Sequence, residues 1–568
     1  MLSEPNEKTL VNYLYLGSAA VTVFVLTGVV TDPVNATKHF LLGGIAFAAF
    51  AISMIFSLKP LWKDSKLFLI ASSLFILFTL AASLASAAPL SQNLYGAFGR
   101  NTGAVAYLSL VMVAIASLSL RRQGSFNKVI IGLFTAGFIN ISYCLWAWQI
   151  GDFIGWNNPY NTILGTFGNP NFIGAFLGIF LSVLTAYSLN PARSWKFRAI
   201  AAATFVIGIL EIKNSHAIQG IVVTAAGLSL TGFYFIRSKF RSNVVSVIYA
   251  GAVTTFGFIS LLGALQKGPF SQLIYKTSVS LRGEYWQAGI NMAKEFPLTG
   301  VGMDTYGDWY RRLRDASALV MPGPNTVTNA SHNVNIDILS YGGWPLFVSY
   351  ATLLALSILA IIKVTLRNRN YDATFVSLTV GWVCYQVQAS ISINQIGLAI
   401  WGWLFTGALV SYEVTTRPGS ELVASSISSK KSKAQVSNQI FSPQLVGGIG
   451  LLTGLLIAVP PLSADMKWRS AVQAQNLAQV EAALKPGYLT PSSSSRLANA
   501  VQLFEQSKLP DIAYKYAQEG ILFNPDYFDA WKVLYFISKS TQADKDLALQ
   551  NMKRLDPKNK DVLDLPKA

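Results

Sequence analysis

The sequence predicts an all-α fold, a polytopic membrane helix bundle of about 12–13 spans, and two observations carry that prediction. Of the 568 residues, 52% are hydrophobic and only 12% are charged, whereas soluble domains carry about 25% charged residues. Thirteen apolar runs approach the length of about 20 residues that a helix needs to cross a bilayer. These runs lie near 10–30, 39–57, 67–87, 103–120, 128–148, 171–189, 197–212, 217–235, 246–265, 342–363, 373–390, 394–413 and 443–462.

Lysine and arginine are concentrated in every second loop, and this bias predicts the orientation of the chain. The basic loops contain Lys59, Lys63, Lys66, Arg121, Arg122, Lys128, Arg193, Lys196, Arg198, Arg237, Lys239, Arg241, Lys363, Arg367, Arg369, Arg417, Lys430, Lys431 and Lys433. Because basic loops stay in the cytoplasm, we expect a cytoplasmic N-terminus and outer loops near 88–102, 149–170, 213–216 and 266–341. The net charge of +17 is thereby assigned to membrane topology, and we expect membrane lipids but no nucleic acid as partners.

Composition divides the chain into four parts. Residues 1–415 form the membrane core, whose large outer loop at 266–341 is rich in aromatic residues and favours an ordered lid. Residues 416–442 are rich in Ser and Lys and predict a flexible cytoplasmic linker. Residues 443–462 predict an additional transmembrane helix, and 463–568 a helical domain outside the cytoplasm.

The C-terminal region has helical periodicity and a repeat-like punctuation. Asn524-Pro525 and Asp556-Pro557 each follow a helical segment and lie 32 residues apart, close to the period of about 34 in tetratricopeptide repeats. A small helical bundle that caps the membrane domain explains the same pattern. A repeat-like module would offer a surface for a protein partner.

No metal or cofactor site is predicted. Cys144 and Cys384 both lie in apolar runs, which excludes a disulfide framework or a cysteine-based zinc site. Phosphate-binding GxxxxGK[ST] and zinc-binding HExxH motifs are absent, and the outer loops contain no DxD.

Polar groups at the outer membrane boundary are the first candidates for function, because such groups are costly there. Arg100, in the segment YGAFGRNTG, could hold a phosphate through paired hydrogen bonds, or could simply anchor a helix end. Asn169 and Asn171, in GTFGNPNF, stand at a helix start where backbone N–H groups could receive an anion. Pure helix capping is an equal alternative.

Two further outer segments carry candidate groups. Arg282 and Trp286 lie four residues apart and would share a helix face, placing a phosphate-binding cation beside a surface for a sugar; the alternative is an arginine–carboxylate pair that holds the lid. His332, in NASHN, is a candidate general base, or else a structural residue. His216 and Gln219 lie in a short outer turn, where they could line a cavity together with these groups.

Together, the strings RNTG, GTFGNPNF, RGEYW followed by PLTGVG, and SHN resemble the O-antigen ligase and O-antigen polymerase superfamily, which includes protein O-oligosaccharyltransferases. The resemblance covers about residues 95–345 by motif and 1–415 by topology. It implies a GT-C-like polytopic fold with an outer cavity roofed by the large loop, in the bacterial inner membrane. It also implies a glycan donor on undecaprenyl diphosphate and a glycan, lipid or protein acceptor.

The resemblance also implies roles for individual residues. Arg282 and Arg100 would bind the diphosphate, and His332 would engage the acceptor hydroxyl or assist its deprotonation, without a metal or cofactor. Many relatives have an arginine where this chain has His216, so its contribution is open. The C-terminal domain fits protein glycosylation or surface-polymer attachment better than ligation to lipid A.

Two functions from other classes compete with the transferase. A polysaccharide or small-solute transporter would also need many spans, but it predicts ionisable groups near the middle of the membrane. A non-catalytic scaffold predicts that changes at Arg282 and His332 are harmless while loss of the C-terminal domain is not.

Overall fold

The computed structural model describes residues 2–156, 158–264, 267–268, 271–274, 281–418 and 441–566, and these residues form helices joined by loops. Most of the predicted linker, 419–440, lies outside the described residues. The helices of the core are α1 (Glu4–Val23), α2 (Asn35–Ala85), α3 (Leu90–Tyr95), α4 (Ala104–Ser117), α5 (Gln123–Gln149), α6 (Pro170–Ser188), α7 (Trp195–Asn214), α8 (Ile218–Phe240), α9 (Asn243–Ala264), α10 (Ser271–Ile274), α11 (Arg282–Glu295), α12 (Tyr306–Leu313), α13 (Ser317–Val320), α14 (Val334–Arg367), α15 (Ala373–Ala389) and α16 (Ile396–Thr415).

The C-terminal helices follow the segment 419–440. They are α17 (Pro443–Gln473), α18 (Leu477–Leu484), α19 (Ser494–Gln506), α20 (Pro510–Phe523), α21 (Phe528–Phe536), α22 (Gln542–Leu555) and α23 (Lys560–Leu563). Helix α17 continues through the predicted boundary at 462–463, so one unbroken helix joins the last apolar run to the C-terminal module, residues 474–566. The module has its own apolar core, which is centred on Val501, Phe504, Ala517 and Leu534.

Among the described residues, eight helices are long and apolar enough to cross a membrane: α2, α5, α6, α8, α9, α14, α16 and α17. They contain nine of the thirteen predicted runs, because α2 holds two runs on either side of a break at Ser65. The other four runs lie in α1, α4, α7 and α15. The protein is therefore an all-α, multi-pass membrane helix bundle.

The helix of the first predicted run, 10–30, is displaced toward the N-terminus. It begins at Glu4, where the Ser3 hydroxyl accepts a hydrogen bond from the Asn6 N–H and caps the helix. It ends at Val23, and the following loop contains Gly28 with a positive φ. Hydropathy alone extends the run because this loop is itself apolar.

The predicted basic loops meet at one end of the bundle. Arg121 forms an ion pair with Asp64 at 3.6 Å and donates a hydrogen bond to the Ser411 hydroxyl. Arg367 pairs with Glu413 at 3.0 Å. Four of the six basic regions are thus linked at the end away from the C-terminal module, as the loop charges predict, while the assignment of that end to the cytoplasm stays a prediction.

At the opposite end, the PLTGVG segment packs against a break in α14. The Val301 N–H donates to the Ser340 carbonyl at 2.9 Å, and the Gly302 N–H donates to the Tyr341 carbonyl at 3.0 Å. Gly300 has a φ of 62°, and a Cβ there would lie 2.3 Å from the Tyr341 carbonyl carbon. Only glycine tolerates this approach, so the motif fixes the position of the residues that follow it.

The C-terminal module docks onto α12 through the two residues that the repeat-like punctuation singled out. Asn524, which ends α20, donates from Nδ2 to Asp308 Oδ2 at 3.2 Å. Asp556, which ends α22, pairs with Arg311 at 3.0 Å and with the fully buried Arg314 at 2.7 Å. These positions therefore attach the module to the large outer loop, whereas its kinship with tetratricopeptide repeats stays a prediction.

Replacing Asp556 with alanine should release the module. Removal of one partner from a buried ion pair costs about 3–5 kcal/mol because the remaining charge is left uncompensated, and here two arginines lose their carboxylate. Limited proteolysis and thermal unfolding should show faster cleavage and a lower melting temperature. Asp511→Ala is the matched control because its pair with Lys539 is exposed and should contribute little. Equal cleavage of wild type and Asp556→Ala would refute the docking role.

Candidate active site

Asp304 organises the loop that carries Arg100. Its carboxylate is completely buried, and Oδ2 accepts hydrogen bonds from the backbone N–H groups of Ala97 at 3.0 Å and Thr102 at 3.3 Å. Its Oδ1 lies 3.5 Å from Arg100 Nε. Burial raises the pKa of Asp304, and the positive charge of Arg100 opposes that rise. Asp304 follows the PLTGVG segment, and its carboxylate thus links that segment to a loop about 200 residues earlier in the chain.

Helix α2 holds the same loop from the other side. His39, to which the sequence assigned no role, donates from Nδ1 to the Asn101 carbonyl at 3.0 Å. Asn35 donates from Nδ2 to the Gly99 carbonyl at 2.8 Å. His39 is buried, and its hydrogen bond makes it a positioning residue.

The guanidinium of Arg100 is buried but only partly satisfied. Its side chain is 11% exposed, and neither Nε nor Nη2 has a hydrogen-bond partner in the described part of the chain. Burial disfavours the charged form, but Asp304 leads the groups that outweigh it and raise the pKa of Arg100. Buried polar groups are nearly always hydrogen-bonded, and because Nε already faces Asp304, the Nη2 donors are the ones suited to an anionic ligand.

Arg282 and Trp286 lie on the first turns of α11, as the four-residue spacing predicts. Arg282 forms no ion pair or hydrogen bond with the described residues, and burial lowers its pKa. The alternative of an arginine–carboxylate pair that holds the lid is thus not observed there. The Nε1–H of Trp286 is also buried without a partner among the described residues. Both side chains retain donors for a ligand.

His332 occupies a tight turn at the start of α14. It has a φ of 59°, and the turn is held by Asp337 Oδ1, which accepts hydrogen bonds from Ser331 N at 2.7 Å and Oγ at 2.8 Å. The ring stacks on Tyr285, with 5.5 Å between ring centroids. Burial, followed by the charges of Arg282 and Arg100, lowers the pKa of His332 to about 4. The three predicted groups therefore lie within electrostatic reach of one another, and the imidazole is neutral at neutral pH.

A cavity of about 530 Å³, here called the large cavity, opens beside Arg100. Asn169 also lines it, and its side chain accepts a hydrogen bond from the Asn171 N–H at 2.9 Å, which caps α6. Asn169 thus both caps α6 and lines the large cavity, whereas Asn171 is exposed. The remaining polar lining includes Asn35, Asp32, Asn394, Gln395 and Arg469.

The last two candidates lie in the short turn between α7 and α8. His216 is exposed and has a φ of 55°. Gln219 is buried, and neither its Oε1 nor its Nε2 has a partner in the described residues. Neither residue lines the large cavity, and their assignment to the site stays a prediction.

Sequence reasoning missed three contributors to the site. Asp304 follows a quoted motif, but its partner Arg100 becomes evident only in the fold. Tyr285 sits between the two singled-out residues of α11 and was not recognised as the platform for His332. Arg469 comes from α17, beyond the resemblance, and lines the large cavity while its Nε donates to the Gly28 carbonyl at 3.1 Å.

Residues 203–351 match the family model described as O-antigen ligase. The chain carries an O-antigen ligase domain. The matched segment runs from α7 into α14 and includes Arg282, Trp286 and His332, whereas Arg100 and Asn169 precede it. The family predicted from the motifs is therefore confirmed. No curated protein matches the chain.

Proposed function

We propose that this O-antigen ligase family protein is a membrane glycosyltransferase. It moves a glycan from undecaprenyl diphosphate to an acceptor hydroxyl at the outer face of the bacterial inner membrane. The observation that carries the proposal is the grouping of Arg100 and Arg282, two arginines that keep N–H groups without hydrogen-bond partners among the described residues, around the neutral His332. A diphosphate needs cations, and a hydroxyl nucleophile needs a base, and this site offers both.

The donor diphosphate lies between Arg100 and Arg282 in this proposal. Arginine is suited to the role because its planar fork of N–H groups matches phosphate oxygens. The large cavity beside Arg100 accommodates part of the donor, where Asn169 and Arg469 supply further hydrogen-bond donors. The indole of Trp286 supports a sugar ring of the glycan.

Transfer follows from attack by the acceptor oxygen on the anomeric carbon of the donor sugar. The new carbon–oxygen bond forms as the bond between the anomeric carbon and the diphosphate oxygen breaks, and its electron pair leaves with undecaprenyl diphosphate. His332 takes the hydroxyl proton. The negative charge grows on the leaving diphosphate, so cations fixed beforehand at Arg100 and Arg282 lower the barrier. Direct displacement inverts the anomeric configuration.

The acidic limb of the pH–rate profile should depend on whether the donor is bound. In the free enzyme, burial and then the charges of Arg282 and Arg100 lower the pKa of His332 to about 4, and Tyr285 stacks on the ring. Binding of the diphosphate offsets the arginine charges, so the pKa should rise toward the ordinary value of about 6.5. We expect kcat/KM to fall near pH 4 and kcat to fall at a higher pH.

Arg282→Gln provides the matched control for this profile. Loss of a positive charge next to His332 should move the acidic limb of kcat/KM to higher pH. The base assignment is wrong if His332→Ala retains the acidic limb of the wild type.

The position of the site favours a transferase over a transporter. The arginines and His332 lie in outer loops or at helix starts, whereas a transport pathway needs ionisable groups across the membrane. The acceptor is a glycan, a lipid or a protein. Attachment of the C-terminal module to the outer loop supports an acceptor that the module helps to select.

The test is transfer by the purified protein in nanodiscs with a fluorescent undecaprenyl-diphosphate glycan. Lipid, glycan and peptide acceptors are supplied in separate reactions, with and without EDTA. We expect one acceptor class to become glycosylated, at the same rate with EDTA. Loss of transfer in the presence of EDTA would exclude the metal-free mechanism. An intact donor in all three reactions would count against the transferase.

A further inference from the structure

A second, smaller cavity of about 120 Å³ lies where the C-terminal module covers the core, and we refer to it as the seam cavity. The core contributes Tyr95, Phe98 and Asp308, and the module contributes Arg496 and Tyr527. Its volume is several times what a single water requires. It therefore has room for one sugar ring, not for a chain.

Arg496 lines this cavity with a hydrogen-bond donor that lacks a partner among the described residues. Only 6% of the residue is exposed, and Nε has no partner in the described part of the chain. Its guanidinium lies over the Phe98 ring at 5.6 Å. Burial lowers the pKa of Arg496 to about 10, so the group is charged at neutral pH. A buried cation with a free N–H marks a place where a ligand is held.

Asp308 supplies an acceptor in the lining of the same cavity. Its Oδ2 accepts hydrogen bonds from Gln92 at 3.0 Å and from Asn524 at 3.2 Å, and Asn524 in turn donates to Ser494 Oγ at 3.1 Å. This chain of hydrogen bonds joins core and module around the cavity. The wall is therefore built jointly by both parts of the protein.

The charges of the seam cavity differ from those of the large cavity. Asp304, Asp308 and Arg496 line it, and Asp304 is already paired with Arg100, so the cavity has no excess of positive charge. Such a site offers a diphosphate no net attraction, whereas the hydroxyl groups of a neutral sugar can both donate to carboxylates and accept from a guanidinium. Aromatic rings such as Tyr95, Phe98 and Tyr527 suit the apolar face of a sugar ring.

The two cavities are lined by the two partners of one ion pair. Arg100 lines the large cavity, Asp304 lines the seam cavity, and the two side chains form the 3.5 Å ion pair. A ligand in the seam cavity therefore lies next to the group that positions the diphosphate-binding arginine. A donor in the large cavity and an acceptor in the seam cavity would therefore be neighbours.

We propose that the seam cavity binds a neutral sugar residue of the acceptor and that Arg496 of the C-terminal module is a binding residue for it. The identification of the ligand as the acceptor rests on the proposed function, but binding of a sugar to this cavity can be tested without transfer. The module then contributes to acceptor choice through a site inside the protein.

The first experiment measures binding by hydrogen exchange of the full-length protein in nanodiscs. The probes are methyl glycosides of glucose, galactose, N-acetylglucosamine and N-acetylgalactosamine. At least one of them should slow amide exchange in residues 92–98 and 492–496 of the wild type and lose this effect in Arg496→Gln. Absence of protection by every glycoside, or equal protection in the variant, would overturn the site.

The second experiment compares Arg496→Gln with Arg469→Gln, which removes a cation from the large cavity. Arg496→Gln should raise the acceptor KM about tenfold or more, as expected for a lost hydrogen bond to a charged group, and leave the donor KM within about twofold. Arg469→Gln should do the reverse. A change in donor KM alone for Arg496→Gln would contradict the proposal. If the wild type transfers nothing, the proposed function fails while the exchange experiment still decides the sugar site.

Discussion

Substitution of Arg282 by alanine should lower kcat/KM for glycan transfer by at least about a hundredfold, the loss seen when one preorganised electrostatic donor is removed. The side chain has no ion-pair or hydrogen-bond partner among the described residues, so its removal leaves none of those residues unpaired. Folding should therefore survive, and the loss should appear in the chemistry. Steady-state kinetics with the undecaprenyl-diphosphate donor measure it directly.

Two variants sharpen this result. Arg282→Lys keeps the charge but loses the planar fork, so its activity should fall between wild type and alanine. Arg241→Ala removes an exposed arginine from the opposite end of the bundle and should transfer at the wild-type rate. Full activity in a folded Arg282→Ala protein would exclude Arg282 from the site.

Substitution of Asp304 by alanine should cost both stability and activity. Arg100 would lose its carboxylate, and the N–H groups of Ala97 and Thr102 would lose their acceptor. Breaking a buried ion pair in this way costs about 3–5 kcal/mol. Thermal unfolding should show a lower melting temperature, and the remaining folded protein should have a raised donor KM because Arg100 is no longer held in place.

The asparagine variant separates these two effects. Asp304→Asn retains an oxygen that can accept from the loop but loses the charge, so it should fold better than Asp304→Ala and still bind the donor weakly. Asp546→Ala is the control because that carboxylate is exposed on the C-terminal module. Wild-type stability and donor KM in both Asp304 variants would contradict the role of Asp304 as a positioning residue.

Local patterns were sufficient to predict the helices and the face shared by Arg282 and Trp286. Most of each apolar run lies in a helix. A helix of about 20 apolar residues spans the bilayer and pairs its own backbone N–H and C=O groups. Arg282 and Trp286 lie on one helix face because their spacing matches the helical period. Both inferences depend only on neighbours in the chain.

The remaining features depend on contacts between distant segments. The pairing of Arg100 with Asp304 joins loops about 200 residues apart, and no periodicity encodes it. The role of PLTGVG is to fit against the break in α14, where Gly300 avoids a collision with Tyr341. Arg469 and Arg496 reach their cavities only because α17 carries the module over the end of the bundle that holds the candidate site.

The exposed position of His216 illustrates the opposite case. Its position in a predicted outer turn placed it with the other polar candidates, but its backbone adopts a φ of 55° and the residue is exposed. Whether that turn approaches the donor is a question of ligand binding, and His216→Ala can be included in the same kinetic series.

The central claim is that the chain breaks the bond between glycan and diphosphate and forms a new glycosidic bond. The most direct measurement quantifies both products in one reaction, by mass spectrometry of the lipid and of the glycosylated acceptor, for the wild type and Arg282→Ala in nanodiscs. We expect one undecaprenyl diphosphate for each new glycosidic bond in the wild type and neither product above background in the variant. Intact donor after incubation of the folded wild type with every acceptor class, or equal product formation by the variant, would contradict the account.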